Sequence, residues 1–317
     1  AMMPCNPSIG GTGKGHLVRE VDALGGEMGV CADKALLQIK MLNRAKGPAV
    51  YSLRAQADRK LYSKIMLETL RAEPNLTLME GEVSKILTAG DTVTGVELAG
   101  GERIQTRAVV LCTGVYLNGK LITGTYTLPS GPYGETRATL LTSCLKDLNL
   151  PMRRFKTGTP ARIYRDSIDF SLMEPQYGEE GLKFSFMTKE AVANRECCYL
   201  TYTNERTHEI IKENIHRAPM YNGAIEGIGP RYCPSIEDKV MRFKDKERHQ
   251  IFVEPEGYQS EEMYIQGMST SLPHDVQEKM YRTIKGLEKA RFARYAYAIE
   301  YDCIEPQSLS PALAIKG

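Results

Sequence analysis

The sequence predicts an α/β fold, and three observations carry that prediction. A glycine-rich loop runs straight into a helical stretch, a series of short strands follows with turn residues between them, and a wholly apolar run ends in Thr-Gly. Helical and strand periodicities interleaved in this way point to mixed layers. At 317 residues, 42% hydrophobic and 25% charged, the chain can hold one large or two ordinary domains with a real core. A net charge of +2 neither demands nor excludes a nucleic-acid partner. No apolar run approaches the roughly 20 residues that cross a bilayer. The start, Ala1-Met2-Met3-Pro4, lacks the basic and then apolar pattern of a signal peptide. The eight cysteines (5, 31, 112, 144, 197, 198, 233 and 303) include no C-x-x-C pair and no metal-finger spacing. They are expected to be reduced thiols of a cytoplasmic protein.

Gly10-Gly11-Thr12-Gly13-Lys14-Gly15-His16 leads into Leu17–Leu24, which has helical spacing and stops at Gly25-Gly26. Such a loop can present backbone N–H groups to an anion, or it can be a tight turn that starts a helix. It is not a Walker loop, since Ser8 stands at the first glycine position and Gly15 replaces the Ser or Thr. An amphipathic helix is expected from about Leu53 to Ala72, with Pro74 beyond it. Strands are expected at Leu76–Met79, Val83–Leu87, Thr92–Leu98 and Arg103–Cys112, a β-meander separated by Ala89-Gly90-Asp91 and Ala99-Gly100-Gly101. Ala108–Cys112 reads as a parallel strand covered on both faces. Thr113-Gly114 after it would let a flat or phosphorylated ligand approach the backbone.

The middle of the chain changes character. Arg153, Arg154, Lys156, Arg162 and Arg165 surround Phe155 and a turn, as either a phosphate-binding stripe or a solvated basic face. The polar stretch from Asp166 to Glu196 suggests an inserted subdomain. A helix is expected at Glu209–His216, capped by Thr207, and another near Pro273–Lys289. His208 and His216 have no carboxylate or cysteine at metal spacing. Gly229-Pro230-Arg231-Tyr232-Cys233-Pro234-Ser235-Ile236-Glu237-Asp238-Lys239 is too irregular for a helix and too polar for a core strand. Shaped loops of this kind carry sites, and cationic neighbours could activate the thiol of Cys233. A rigid loop whose cysteine only packs is the plain alternative.

Several of these blocks together resemble the MnmG, or GidA, family of flavoproteins that modify the wobble uridine of tRNA. The similarity rests on Cys5-Asn6-Pro7-Ser8-Ile9-Gly10-Gly11 through Gly26, on Lys46–Val50 with Arg54-Ala55-Gln56, and on Pro219 through Lys239. It continues through Glu254-Pro255-Glu256-Gly257, Ser269-Thr270-Ser271-Leu272-Pro273 and Ala298-Ile299-Glu300-Tyr301-Asp302. The resemblance implies a partial Rossmann-like FAD-binding domain of glutathione-reductase type in residues 1–158 and 241–317. It also implies an inserted α+β subdomain in residues 159–240 associated with NADH and substrate. Such enzymes work with a GTPase partner of the MnmE type, as homodimers, and install an aminomethyl or carboxymethylaminomethyl group at C5 of the anticodon's first uridine. The carbon unit comes from methylenetetrahydrofolate, with FAD and NADH handling hydrides. Cys5 and Cys233 match the family's implicated cysteines; a thiolate adding at C6 of uracil would make C5 nucleophilic. Val83 would touch FAD through its backbone, with Gly10, Gly11, Thr113 and Gly114 near the cofactor, and 229–243 would form the nicotinamide-associated loop.

The chain also departs from the family pattern. The G-G-G-H-A-G loop expected upstream of Cys5 and the A-G-Q-I-N-G-T-x-G-Y-E-E block expected after Gly317 are not in it. Ala138 stands for a flavin-contacting Ser, Tyr295-Ala296 for Pro-Gly and Ala314 for Glu. Weak FAD binding by this chain alone is therefore expected. Two other readings stay open at this stage: a non-catalytic RNA-binding core of such a flavoprotein, and another FAD-dependent oxidoreductase.

Overall fold

Gly10 sets the geometry of the first layer. In the structure, a computed structural model describing residues 2–229 and 233–315, its φ is +119° and a Cβ would sit 2.0 Å from the Leu53 carbonyl oxygen. Only glycine tolerates that approach. Gly11 N–H then donates to the same oxygen at 2.8 Å. The strand Ser8–Gly10 is thereby seated against Ser52–Ala57, which pairs on its other edge with Leu36–Leu42, all antiparallel. The helices Lys14–Ala23, Glu27–Lys34 and Arg59–Ala72 pack here, burying Val18, Cys31, Ala32 and Tyr62.

The helix expected from Leu53 begins only at Arg59. Arg54 and Gln56 alternate with Ala55 and Ala57, a period of two that suits a strand. Asp58 then stops the strand and caps the helix, accepting from Leu61 N–H at 2.9 Å.

The polar stretch before Glu196 straps this layer. Glu179 N–H donates to Ile39 O and Arg195 N–H to Leu37 O, both at 2.8 Å. Phe184 is fully buried against the first sheet. Asp33 accepts from the N–H groups of Phe184 and Ser185 at 2.6 and 2.9 Å, while Asp22 accepts from Phe186 N–H at 2.7 Å. Two buried carboxylates thus satisfy the backbone donors of Phe184, Ser185 and Phe186.

The meander exists as Val83–Ala89, Thr92–Leu98 and Arg103–Gln105. The helix Leu141–Asp147 covers it through Leu141 and Leu145, with Val83 and Leu111 packed alongside. Two expected strands do not form. Leu76–Met79 is exposed and irregular, and Ala108–Cys112 is unpaired, with Val110 84% exposed. A parallel strand needs ladder partners on its edges and cover on both faces, and among the described residues these segments have neither. Apolar content alone therefore does not make them strands.

The largest layer is a six-stranded antiparallel sheet in the order Glu174–Gln176, Cys198–Tyr202, Gln250–Pro255, Glu262–Gln266, Arg162–Tyr164, Phe292–Arg294. It draws strands from both sides of residue 240, where the sequence reading put a subdomain boundary. The helices Glu205–Glu213, Ile236–Arg242 and His274–Tyr281 bury Ile211, Val240 and Met280 in its core. The first of these is capped by Asn204 and not by Thr207; Thr207 completes the box by accepting from Asn204 N–H at 3.2 Å. The last is shorter than expected because the chain leaves the helix in turns that reach Gly286 at φ +84°. A four-stranded sheet, Tyr126–Pro129, Lys120–Thr123, Tyr297–Ile304 and Met152–Thr159, stands beside it.

Candidate active site around two thiols

Met152–Thr159 ends in Lys156-Thr157-Gly158-Thr159, and the carbonyl oxygen of Gly158 is where two distant cysteines meet. Cys5 Sγ lies 3.5 Å from it and Cys233 Sγ 3.7 Å. Gly158 leaves no room for a side chain, since a Cβ would sit 2.5 Å from Ser269 Oγ. The loop leading to Cys233 is pinned along the same strand: Lys156 N–H donates to Ile228 O at 3.1 Å, and Ile228 N–H to Arg154 O at 3.2 Å. Glu300 fixes that loop from below, accepting from the N–H groups of Glu226 and Gly227 at 2.8 and 2.6 Å.

Cys5 is exposed and held at both ends. Its sulfur contacts Tyr264 Oη at 3.0 Å. Its carbonyl accepts from Arg59 at 2.8 Å and from Arg162 at 3.4 Å. Arg162 is fully buried and pairs with Glu256 at 2.8 Å, which also holds Arg59 at 2.6 Å. Two residues earlier, on the strand Gln250–Pro255, Glu254 pairs with Arg54 at 2.7 Å and accepts from Asn6 at 2.6 Å. Tyr133 completes the floor: its hydroxyl accepts from both Arg59 and Arg162, and its ring lies 4.9 to 5.2 Å from the guanidiniums of Arg294, Arg59 and Arg162. Its φ of +58° is rare for a non-glycine residue and is kept by these contacts. A groove of about 610 Å³ opens beside them, lined by Arg59, Lys60, Tyr133, Glu256, Glu262 and Arg294.

The two thiols differ in surroundings. Burial pushes the Cys233 thiol up, and the neighbouring Cys5 adds to it; the Gly158 backbone, Lys156 and Lys239 act the other way. Burial also pulls the Lys239 ammonium down, and its Nζ donates to Gly267 O at 3.4 Å. Most of the block after Cys233 serves the fold. Ser235 caps the following helix, accepting from Asp238 N–H at 3.2 Å, and Asp238 accepts from Ser235 N–H at 3.4 Å. Ile236 is in the core, and Glu237 is fully buried, accepting from Ser271 N–H at 3.3 Å. Pro234 and Gly229 are exposed; Pro230, Arg231 and Tyr232 lie outside the described residues.

The expected phosphate stripe is a set of ion pairs. Arg153 meets Glu305, Arg154 meets Asp302, Arg162 meets Glu256 and Arg165 meets Glu196, at 2.9, 2.6, 2.8 and 3.0 Å. Lys156 is buried. Charges satisfied in this way leave little field for a phosphate backbone. His208 is also internal, with Nε2 2.8 Å from Thr203 Oγ1, and among the described residues no group of ligating side chains could hold a metal.

The residues expected at the flavin have these surroundings. Gly10 and Gly11 serve the approach to Leu53, Val83 packs against the Leu117, Leu141 and Leu145 cluster, and Thr113 and Gly114 follow the unpaired 108–112 segment. None of them lines the groove beside Cys5 or a second, larger one of about 910 Å³ around Tyr202 and His208.

The whole chain, residues 1–317, matches the family model of Glucose inhibited division protein A. The chain belongs to this family. It is 58% identical over 315 residues to the tRNA uridine 5-carboxymethylaminomethyl modification enzyme MnmG of Caldicellulosiruptor saccharolyticus, covering 99% of this chain and 50% of the relative. It is 57% identical over 318 residues to MnmG of Clostridium botulinum, covering 100% and 51%. Among solved structures, Aquifex aeolicus GidA in one crystal form superposes with a TM-score of 0.92 at 48% identity, over 98% of this chain and 53% of that one. In a second form the TM-score is 0.90 at 46% identity, over 98% and 51%. The chain thus spans about half the length of the curated relatives it matches. The α/β architecture of antiparallel sheets is shared with the GidA structures.

Sequence reading found both cysteines but not their surroundings. Tyr264, Arg162, Arg59 and Tyr133 come from four separate segments. Glu254-Pro255-Glu256 was read only as part of the family resemblance; two carboxylates two residues apart, which need cations when buried, are the signal that could have found them.

Proposed function

We propose that the chain carries the thiol chemistry of a tRNA wobble-uridine-modifying enzyme that forms 5-carboxymethylaminomethyl or aminomethyl uridine. The supporting observation is the meeting of Cys5 and Cys233 at one carbonyl oxygen. A thiolate at Cys5 adds to C6 of the uracil ring, forming a C–S bond and moving the C5=C6 electron pair onto C5 and O4. C5 then attacks the one-carbon electrophile. Loss of the C5 proton to a base and expulsion of the sulfur restore the ring. Cys233, a buried thiol held protonated, is placed to give or take a proton on the same face.

Bound FAD would supply hydride transfer in such an enzyme. The expected flavin contacts are not among the residues that line the groove beside Arg59 and Tyr133. NADH, methylenetetrahydrofolate, a GTPase partner of the MnmE type and a homodimeric assembly come to this reading from the resemblance. Cytoplasmic location is supported by eight free thiols, and among the described residues no helix is long and apolar enough to cross a membrane. The alternative of an RNA-binding module rests on the Arg153–Arg165 cluster, and the ion pairs there count against it.

The test is wobble-uridine modification by the protein with its GTPase partner, tRNA, FAD, NADH and the folate donor. Cys5→Ser and Cys233→Ser should each abolish product at unchanged fold. Product formation at the wild-type rate in both variants overturns the reading.

A further inference from the structure

All the cysteines of the chain are free thiols, and two of them share an acceptor. Cys5 Sγ and Cys233 Sγ lie 3.5 and 3.7 Å from the Gly158 carbonyl oxygen, so the two sulfurs are no further apart than those lengths laid end to end. No other two cysteines meet in this way among the described hydrogen bonds. Cys31 contacts Glu27, Cys144 the Ile86 backbone and Cys197 the Cys198 carbonyl. Cys303 is on the neighbouring strand, but it stands opposite Arg153 while Ala298 stands opposite Gly158. Five residues of strand put it on the order of 16 Å from the pair. Access to the two thiols also differs: Cys5 is exposed and Cys233 is the more enclosed. Arg59 and Arg162 hold the Cys5 carbonyl, and a helix begins just after Cys233 with Ser235 as its cap. Those anchors act on the main chain, so each side chain can still turn about its Cα–Cβ bond.

We infer that Cys5 and Cys233 close an intramolecular disulfide when the protein meets an oxidant, as a reversible off-switch for the modifying reaction. An accessible thiol beside a resolving one is the arrangement that redox-responsive cysteines use. The oxidant is a low-molecular-weight disulfide such as oxidised glutathione. Cys5, the exposed thiol, attacks one of its sulfurs; a mixed disulfide forms, and the glutathione that leaves takes the Cys5 proton. Cys233 then attacks Cys5 Sγ. The bond to glutathione breaks, and the second glutathione leaves with the Cys233 proton. The protein has given up two electrons and two protons, and the oxidant has taken up both. A bond between the sulfurs leaves Cys5 unable to add to C6 of uracil and Cys233 unable to pass a proton; this consequence rests on the thiol chemistry proposed above. A small reducing thiol runs both exchanges backwards. In a reducing compartment the pair stays open.

The test treats the folded protein with oxidised glutathione, blocks the remaining thiols with N-ethylmaleimide in an acid quench, and maps the peptides by mass spectrometry without reduction. Cys5 and Cys233 should lose their maleimide labels together and appear as one cross-linked peptide pair within a single chain. Dithiothreitol should return both labels. The exposed Cys112 should gain glutathione and go no further. In Cys233→Ser, Cys5 should stop at the mixed disulfide. Separate glutathione adducts on Cys5 and Cys233 in the wild type, a link between two chains on a non-reducing gel, or a Cys5–Cys233 link that forms no faster in the folded protein than in urea each overturn the inference. The switch itself is read by wobble-uridine modification with the GTPase partner, tRNA, FAD, NADH and the folate donor. The oxidised protein should lose activity and recover it on reduction, and a full rate with the cross-link in place overturns the switch. Peptide mapping needs neither tRNA nor cofactor. Absence of product from the reduced protein therefore rejects the functional reading, while the disulfide is decided by its own measurement.

Discussion

Cys5 and Cys233 are separated by most of the chain, yet their sulfurs lie 3.5 and 3.7 Å from a single acceptor, the carbonyl oxygen of Gly158. A carbonyl can accept from both thiols but cannot stabilise either as a thiolate. What separates the two is the rest of their surroundings: solvent exposure and a phenol at 3.0 Å for Cys5, and burial for Cys233. Burial disfavours the charged thiolate, so Cys233 should stay protonated through neutral pH. Its alkylation by iodoacetamide is expected to lag behind that of Cys112 and to rise only in alkali. Labelling of Cys233 as fast as Cys112 at neutral pH would contradict this.

Arg162→Met should be among the costliest substitutions in the chain. It strands part of Glu256 and leaves Thr159 and the Pro160 carbonyl without the Arg162 donor, while the Cys5 carbonyl keeps only Arg59. Breaking a buried pair in this way costs about 3 kcal/mol or more, read as a lower urea midpoint. Arg162→Lys should recover little of it, because one ammonium cannot reach acceptors spread around a planar fork.

Glu300 links acid stability to the loop that carries Cys233. Burial alone would raise its carboxyl, but Lys120 at 2.9 Å, the Gly227 N–H and Arg154 outweigh that and hold it below the usual carboxylate range. A lowered value in the folded state contributes stability that is present above the unfolded-state value and lost as pH falls through the folded one. Glu300→Gln should therefore lose about 2 kcal/mol at neutral pH and show a shallower decline on acidification. Parallel urea curves for the two proteins across acid pH would refute it.

At the alkaline end the matching group is Cys31. Burial, with Glu27 beside it, pushes the thiol up from 9.0 to about 12. The unfolded chain ionises first, so stability present below the ordinary thiol range is lost as pH rises towards about 12. Cys31→Ala should flatten that part of the stability curve, at a cost near neutrality from the small cavity it leaves.

Gly10→Ala tests the first layer. The added Cβ would meet the Leu53 carbonyl oxygen at 2.0 Å, in a backbone region that L side chains rarely enter. A loss of about 3 kcal/mol is expected from strain alone, with Gly11→Ala, which meets no atom within 4 Å, milder. Similar melting temperatures for the two variants would show that the strand end can move aside.

The sequence by itself determined the local elements whose signals are local: the glycine turn into its helix and the meander with its turn residues. The helix Ile236–Arg242, capped by Ser235, is not among them, since the run through Lys239 reads as too irregular for a helix. It also determined the family, because long irregular blocks in order are hard to match otherwise. Periodicity failed at Leu53–Ala57, where Arg54 meets the buried Glu254 and Gln56 the Pro255 carbonyl of another segment, and at Ala108–Cys112, where apolar residues had no sheet to join. Only the tertiary structure decided the site. A strand's partners, the neutralisation of Arg153, Arg154, Arg162 and Arg165, and the meeting of Cys5, Cys233, Tyr264 and Gly158 all depend on contacts between residues far apart in the chain. Such contacts are set by which faces bury together, and residue spacing along one segment carries no record of them.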